Sequence, residues 1–165
     1  MNWHISHRFD KQALPLADRH YSRRKPGSPQ FVPPARCLVL TCISGAAVWV
    51  TTWPYAEWTR HEWAGAWVNS MFRRESGPLA SELIREAVAA TRWHWPEVPE
   101  LGMVTFIDES KVRHKRDPGR CYLRAGFKVC GRTRKEGLLA LQLLPADMPE
   151  PMAPLGTTRE MNFAN

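Results

Sequence analysis

Residues 102–127 constrain the fold of this chain most. The apolar run Gly102-Met-Val-Thr-Phe-Ile-Asp108 has the length of a buried strand. A basic loop follows, and then Asp117-Pro-Gly-Arg-Cys-Tyr122-Leu-Arg-Ala-Gly126-Phe127 reads as a short helix with a glycine stop, after which a new strand begins. That order sets Tyr122 on a helix facing the end of a buried strand.

The flanking sequence extends the pattern. Leu14 to His20 suits a short helix, and Pro26, Gly27, Pro29, Pro33 and Pro34 then hold an extended loop. Arg36–Ile43 and Ala46–Trp53, rich in β-branched and aromatic residues around Ser44-Gly45, predict an antiparallel hairpin ended by Pro54. Tyr55 to Trp63 reads as an exposed connection, and Ala64 to Arg73 as a third strand. From Leu79 the period changes: Leu79, Leu83, Ile84, Ala87, Val88 and Thr91 share one helical face, with Ser76 or Pro78 suited to start the helix. Phe127–Thr133 and Leu138–Leu144 predict two closing strands joined by Arg134-Lys-Glu-Gly137. The expectation is an α+β domain over residues 1–145, a mixed, mostly antiparallel sheet flanked by helices. A loosely ordered tail is expected over 146–165, where Pro149, Pro151, Pro154 and Gly156 interrupt any period.

At 165 residues, 44% of them hydrophobic, the chain suits one compact domain. No segment approaches the roughly 20 apolar residues needed to cross a bilayer, and the first residues lack the apolar segment that secretion uses. A cytoplasmic protein without membrane contact is expected. The four cysteines form no C-x-x-C pair, which argues against zinc and for reduced thiols. The 23 Lys and Arg against 16 Asp and Glu leave +7, a balance that favours a polyanionic partner. The excess is uneven: Arg19, Arg23, Arg24 and Lys25 share one loop, and Lys111, Arg113, Lys115, Arg116, Arg120 and Arg124 surround the Tyr122 segment.

A strand that turns through glycine into a helix forms a phosphate cradle, because the first N–H groups of the helix lack internal partners. Arg73-Arg-Glu-Ser-Gly-Pro-Leu-Ala80 has that layout. Together with Tyr122-x-x-x-Gly126-Phe127 it resembles the GNAT-type N-acetyltransferase fold, whose turn reads Arg-x-x-Gly-x-Gly or Ala and whose tyrosine protonates the departing thiolate of coenzyme A. Arg74-x-x-Gly77 matches, while Leu79 stands at the second small position. The resemblance implies an acyl-CoA donor held near Arg73, Arg74, Ser76 and Gly77, with Tyr122 as the acid.

The early loop is more distinctive, joining Asp18-Arg-His20-Tyr21 to a basic, proline-held segment. From about Asp18 to Leu144 the chain resembles the Mom family of phage DNA-modification proteins, which share an acetyltransferase-like fold and an early His-Tyr pair. Their pair maps onto His20 and Tyr21, their strand-end arginine onto Arg73 or Arg74, and their late tyrosine onto Tyr122. Their acidic residue maps onto Asp108 or Asp117. The resemblance implies conversion of adenine in duplex DNA to an N6-carbamoylmethyl form that protects phage DNA from host restriction, in the host cytoplasm. It also implies iron near His20 and Tyr21; an imidazole and a phenolate suit iron, although adjacent residues of a strand would point apart.

Adenine N6 shares its lone pair with the ring and is a poor nucleophile, and reaching it requires extruding the base, at about a few kcal/mol. Arg23, Arg24, Lys25, Arg113, Lys115 and Arg116 are the expected phosphate contacts. The donor is a small molecule of open identity, and a homodimer is left open. The competing expectations are an ordinary acyl-CoA-dependent N-acetyltransferase acting on a small-molecule or protein amine, and a basic DNA-binding protein without catalysis.

Overall fold

The computed structural model describes residues 1–112 and 117–157. Seven strands form one open sheet: β1 (Trp3–Ser6), β2 (Arg36–Cys42), β3 (Ala47–Trp53), β4 (Trp67–Arg74), β5 (Met103–Ile107), β6 (Lys128–Arg132) and β7 (Leu139–Leu143). The helices are α1 (Leu14–Asp18), α2 (Ala80–His94) and α3 (Arg120–Arg124). The spatial order is β1-β2-β3-β4-β5-β7-β6, antiparallel throughout except where β4 meets β5. Parallel neighbours need a crossover, and α2 supplies it. The α+β expectation therefore holds, with the hairpin and closing strands near their expected bounds.

Alternation along the strands divides the core between the two sheet faces. One face buries Trp3, Trp49, Trp67, Met103 and Leu141 against Leu83, Ile84, Ala87 and Val88 of α2. The 3.6-residue period of those α2 positions is what turns them all inward; each Leu or Ile contributes about 2 kcal/mol by leaving water. Across the sheet, Leu16 and Ala17 of α1, with Phe31 and Val32, cover Val39, Val48, Val50 and Met71. The proline-held loop is thus anchored by its apolar end while its basic part stays outside.

Four boundaries differ from expectation. Strand β1 was not expected; it is four residues long, and only Trp3 is buried, its Nε1–H donating to the Leu83 carbonyl at 2.9 Å. Helix α2 begins at Ala80 after Leu79, with neither Ser76 nor Pro78 capping it, because Arg74 holds the Pro78 and Gly77 carbonyls at 2.6 and 2.9 Å and shapes the turn first. Helix α3 starts after Gly119 rather than at Asp117. The segment after Pro145, expected to be loose, is pinned as far as residue 157. Met148 is buried, Met152 N–H donates to the Ala89 carbonyl, and Leu155 N–H donates to the Trp3 carbonyl, covering the β1 edge.

Candidate active site

Strands β4 and β5 are in register only from Trp67↔Met103 to Asn69↔Thr105, after which each continues without pairing to the other. A cavity of about 1150 Å³ opens there. Its wall carries His20, Tyr21, Asp108, Asp117 and Tyr122 together with Arg73, Arg74, Arg23 and Arg24; Ser76, Gly77 and Lys25 lie off it. Arg113, Lys115 and Arg116, expected to bind DNA, lie outside the described residues.

Tyr122 is set by its helix stop. Phe127 N–H donates to the Tyr122 carbonyl and Gly126 N–H to that of Leu123, the paired bonds that end a helix through a left-handed glycine. The Phe127 ring then meets the Tyr122 ring edge-on at 5.4 Å. At the other end, Gly119 has φ +77°, which favours glycine, and a Cβ there would fall 2.5 Å from Ile107 Cδ1 and 2.7 Å from Leu141 Cδ1, so a larger residue would have to displace those side-chain ends as well. The Tyr122 hydroxyl donates to Asn69 Oδ1 at 2.5 Å. Burial pushes the phenol well above its ordinary pKa, keeping it protonated at neutral pH.

Asn69 was not expected from the sequence. Its amide donates to the Val50 and Met71 carbonyls at 3.0 and 2.9 Å, which fixes Oδ1 toward Tyr122. Thr105 donates to the Asn69 carbonyl at 3.1 Å. The β3–β4 register steps from Val50↔Met71 to Thr51↔Asn69, leaving Ser70 as the extra residue of a β-bulge on the cavity wall. The Ser70 Oγ is buried without a hydrogen-bond partner.

His20 and Tyr21 sit in the turn after α1, not in a strand, and their rings stack with centroids 4.5 Å apart and planes 26° apart. The Ser22 backbone N–H donates to His20 Nδ1 at 3.2 Å and Ser22 Oγ lies 2.7 Å from it, which places the ring proton on Nε2. Burial and the nearby Arg73 guanidinium push the imidazole down to about 4, so it is neutral at pH 7. The Tyr21 hydroxyl lies near Asp108, and burial raises its pKa.

The arginines divide into braces and free cations. Arg19 makes a two-point pair with Glu75 at 2.6 and 2.8 Å, and Arg73 joins the same carboxylate at 3.1 Å while donating to the Arg19 carbonyl at 2.7 Å, which ties the end of α1 to the end of β4. Arg23, expected to bind phosphate, is corrected to a brace. It pairs with Asp18 at 2.8 Å and donates to the Gln30 and Ser28 carbonyls, leaving its guanidinium spent inside the loop. Among the described residues, Arg24, Lys25 and Arg124 are exposed and stand outside every ion pair.

The two candidate carboxylates differ in availability. Asp108 accepts from Ser110 N–H and Oγ–H at 3.1 and 2.5 Å, bonds that hold it below the usual carboxylate range. Asp117 is exposed at the rim, 3.7 Å from Arg120.

The iron site implied for His20 and Tyr21 does not fit. Stacked rings in nearly parallel planes do not aim their donor atoms at one point, His20 Nδ1 is taken by Ser22, and Arg73 puts a positive charge beside the pair. Among the described residues, His, Cys, Asp and Glu form no group of three able to hold a metal ion. Of the residues expected to hold coenzyme A, Arg73 and Arg74 lie on the cleft wall with Ala80 and Ser81 of the uncapped α2 N-terminus, while Ser76 and Gly77 lie off it and Arg74 already holds the Pro78 and Gly77 carbonyls.

No family model, curated protein or solved structure matches the chain.

Proposed function

We propose that this chain is a DNA adenine-modifying transferase of the Mom type, on a GNAT-type fold, converting adenine to its N6-carbamoylmethyl form and so protecting phage DNA from host restriction. One observation carries the reading. His20, Tyr21 and Tyr122, from distant parts of the chain, line a single cleft where two parallel strands part in the middle of a mixed sheet. The cleft also has a cationic rim, with Arg24, Arg120 and Arg124 on its wall, which suits a nucleic-acid strand.

Forming an N6–C bond requires N6 to lose a proton and the methylene carbon of a small carbamoylmethyl donor to release its leaving group with the bonding electron pair. His20 is neutral, and its Nδ1 already accepts from Ser22, so it offers an Nε2–H donor rather than a base. Tyr21 and Tyr122 both hold their protons at neutral pH. The N6 proton therefore passes to a carboxylate of the wall, which carries Asp108, Asp117 and also Glu136. The outer face of the His20–Tyr21 stack is suited to hold an extruded base. Mass spectrometry of nucleosides from cells expressing the protein tests the proposal: N6-carbamoylmethyl-deoxyadenosine is expected, and DNA holding only ordinary nucleosides in a host with the needed metabolites overturns it.

A second reading rests on the α2 N-terminus. Its first N–H groups lie at the cleft without a side-chain cap, with Arg74 beside them, and would hold a pyrophosphate. Coenzyme A bound there supplies a thioester acyl donor. The protein would then be an N-acetyltransferase for a small amine or a protein. Turnover of acetyl-coenzyme A on such an amine, without DNA binding, selects this reading.

A further inference from the structure

We infer that Glu75 is a positioning residue: its carboxylate clamps the Arg19–His20 peptide to the end of β4 and so holds the His20–Tyr21 stack at the cleft. The inference rests on the reading that this stack receives the substrate base, and it names the group that sets the stack in place. Glu75 itself is not part of the cavity wall, whereas Arg19, His20, Tyr21 and Arg73 are. It acts through those neighbours.

Glu75 follows β4, and its backbone N–H donates to the Ala46 carbonyl at 2.8 Å, so the carboxylate projects from a main chain already fixed to the turn between β2 and β3. Its Oε1 accepts from Arg19 Nε at 2.6 Å and from Arg73 Nε at 3.1 Å, and its Oε2 accepts from Arg19 Nη2 at 2.8 Å. Arg73 closes the ring by donating from Nη1 to the Arg19 carbonyl at 2.7 Å. That carbonyl belongs to the peptide that enters His20. The turn beyond it is bonded within itself, His20 N–H to the Ala17 carbonyl and Arg23 N–H to the His20 carbonyl, both at 3.0 Å, so the stack follows wherever the Arg19 peptide is held.

Arg19 and Arg73 bring two positive charges to one point, and the shared carboxylate holds them there. Gln at this position has the same size but no charge, and its NH2 would set donor against donor at a guanidinium. The two arginines would then repel and the peptide before His20 would lose its hold. The fold as a whole has little at stake, because all three side chains reach solvent and exposed ion pairs add little to stability. What a two-point arginine–carboxylate pair adds is fixed geometry.

The test is NMR of the His20 ring in the full chain at about pH 8, where the imidazole is neutral whether held or free. Stacked on Tyr21, its ring protons are shielded by the phenol ring and displaced upfield. Tyr21→Ala marks their position without the stack, and His20→Gln identifies the signals by their loss. In Glu75→Gln the signals are expected to move most of the way to the Tyr21→Ala position, with the thermal midpoint unchanged. The fraction of modified adenine in cells expressing this variant is expected to fall about tenfold or more, since a misplacement of about 1 Å can cost about a hundredfold in rate.

Signals that stay in place in Glu75→Gln, or an unaltered chain whose signals already match Tyr21→Ala, overturn the inference. So does modification at the unaltered level, or a midpoint that falls far enough to make Glu75 a residue of the whole fold. If the signals move as expected but the unaltered chain leaves DNA unmodified, the proposed function is refuted and the positioning of the stack stands.

Discussion

Asn69 and Thr105 face one another on the last rung of the parallel β4–β5 ladder, and the Thr105 hydroxyl closes that rung by donating to the Asn69 carbonyl at 3.1 Å. Beyond them the strands separate. The rung serves two purposes: it ends the sheet pairing that would otherwise fill the cleft, and it presents Asn69 Oδ1 to the Tyr122 hydroxyl. A bulge at Ser70 alongside turns β4 outward, so the opening of the cleft and the fixing of its tyrosine have one structural cause.

Tyr122→Phe is expected to lower stability by about 1 kcal/mol, because buried Asn69 Oδ1 would lose its short bond from the phenol and keep only the longer one from Thr105 at 3.4 Å. Urea denaturation measures this. The same variant is expected to abolish DNA modification in cells while the protein still accumulates, and modification at the unaltered level would remove Tyr122 from the chemistry.

Gly119→Ala is expected to cost more than Gly45→Ala. Both glycines have positive φ, at +77° and +71°, yet a Cβ at 119 would strike Ile107 and Leu141 while one at 45 would meet open space. Left-handed strain alone costs about 1–2 kcal/mol per residue, and overpacking adds about 1–3. Thermal unfolding of the two variants compares them; equal shifts would show that α3 does not lean on this contact.

What the sequence revealed and what it hid follow from the range of the forces involved. The hairpin, the inward face of α2 and the Gly126 stop were legible, because period and turn chemistry are written in neighbouring residues. The motifs around His20 and Tyr122 drew attention to two residues that line one cavity. Asn69 and Ser70 were not legible. Their importance comes from the register between β3, β4 and β5, and no local pattern marks a bulge in Trp67–Arg74. Nor could sequence separate Arg23 from Arg24, which are alike in type and adjacent; the structure turns one toward Asp18 and leaves the other outside. Strand β1 was missed because it is short and takes its stability from Trp3 and from the segment at Leu155.

That division between braces and free cations predicts a graded salt response. If duplex DNA is the partner, Arg24→Ala and Lys25→Ala are each expected to reduce the slope of log affinity against log salt by about 1. Arg23→Lys keeps the charge but cannot span Asp18, Gln30 and Ser28, so it is expected to leave that slope unchanged and to make the 19–35 loop more susceptible to proteolysis. Fluorescence anisotropy over a salt series, with limited proteolysis, checks both. A slope that falls with Arg23→Lys would return Arg23 to the phosphate contacts.

The depressed pKa of His20 makes stability depend on pH in a definite direction. The folded protein holds this imidazole near 4, whereas the unfolded chain protonates it near its ordinary value of 6.5. Between those values the unfolded state binds more protons, so the stabilisation is complete above about 6.5 and is lost as pH falls toward about 4. His61 and His94, also depressed by burial, add to the same leg, while Asp18, Glu75 and Asp108, held below their usual range by hydrogen bonds, lose their contribution only at lower pH. Replacing His20 by Gln is therefore expected to flatten the fall in urea midpoint between pH 6.5 and 4 without removing it, and to leave the steeper loss below pH 4 in place. An unchanged slope in that window would mean that His20 is as open to water in the folded protein as in the unfolded chain, and that its stacking with Tyr21 does not persist in solution.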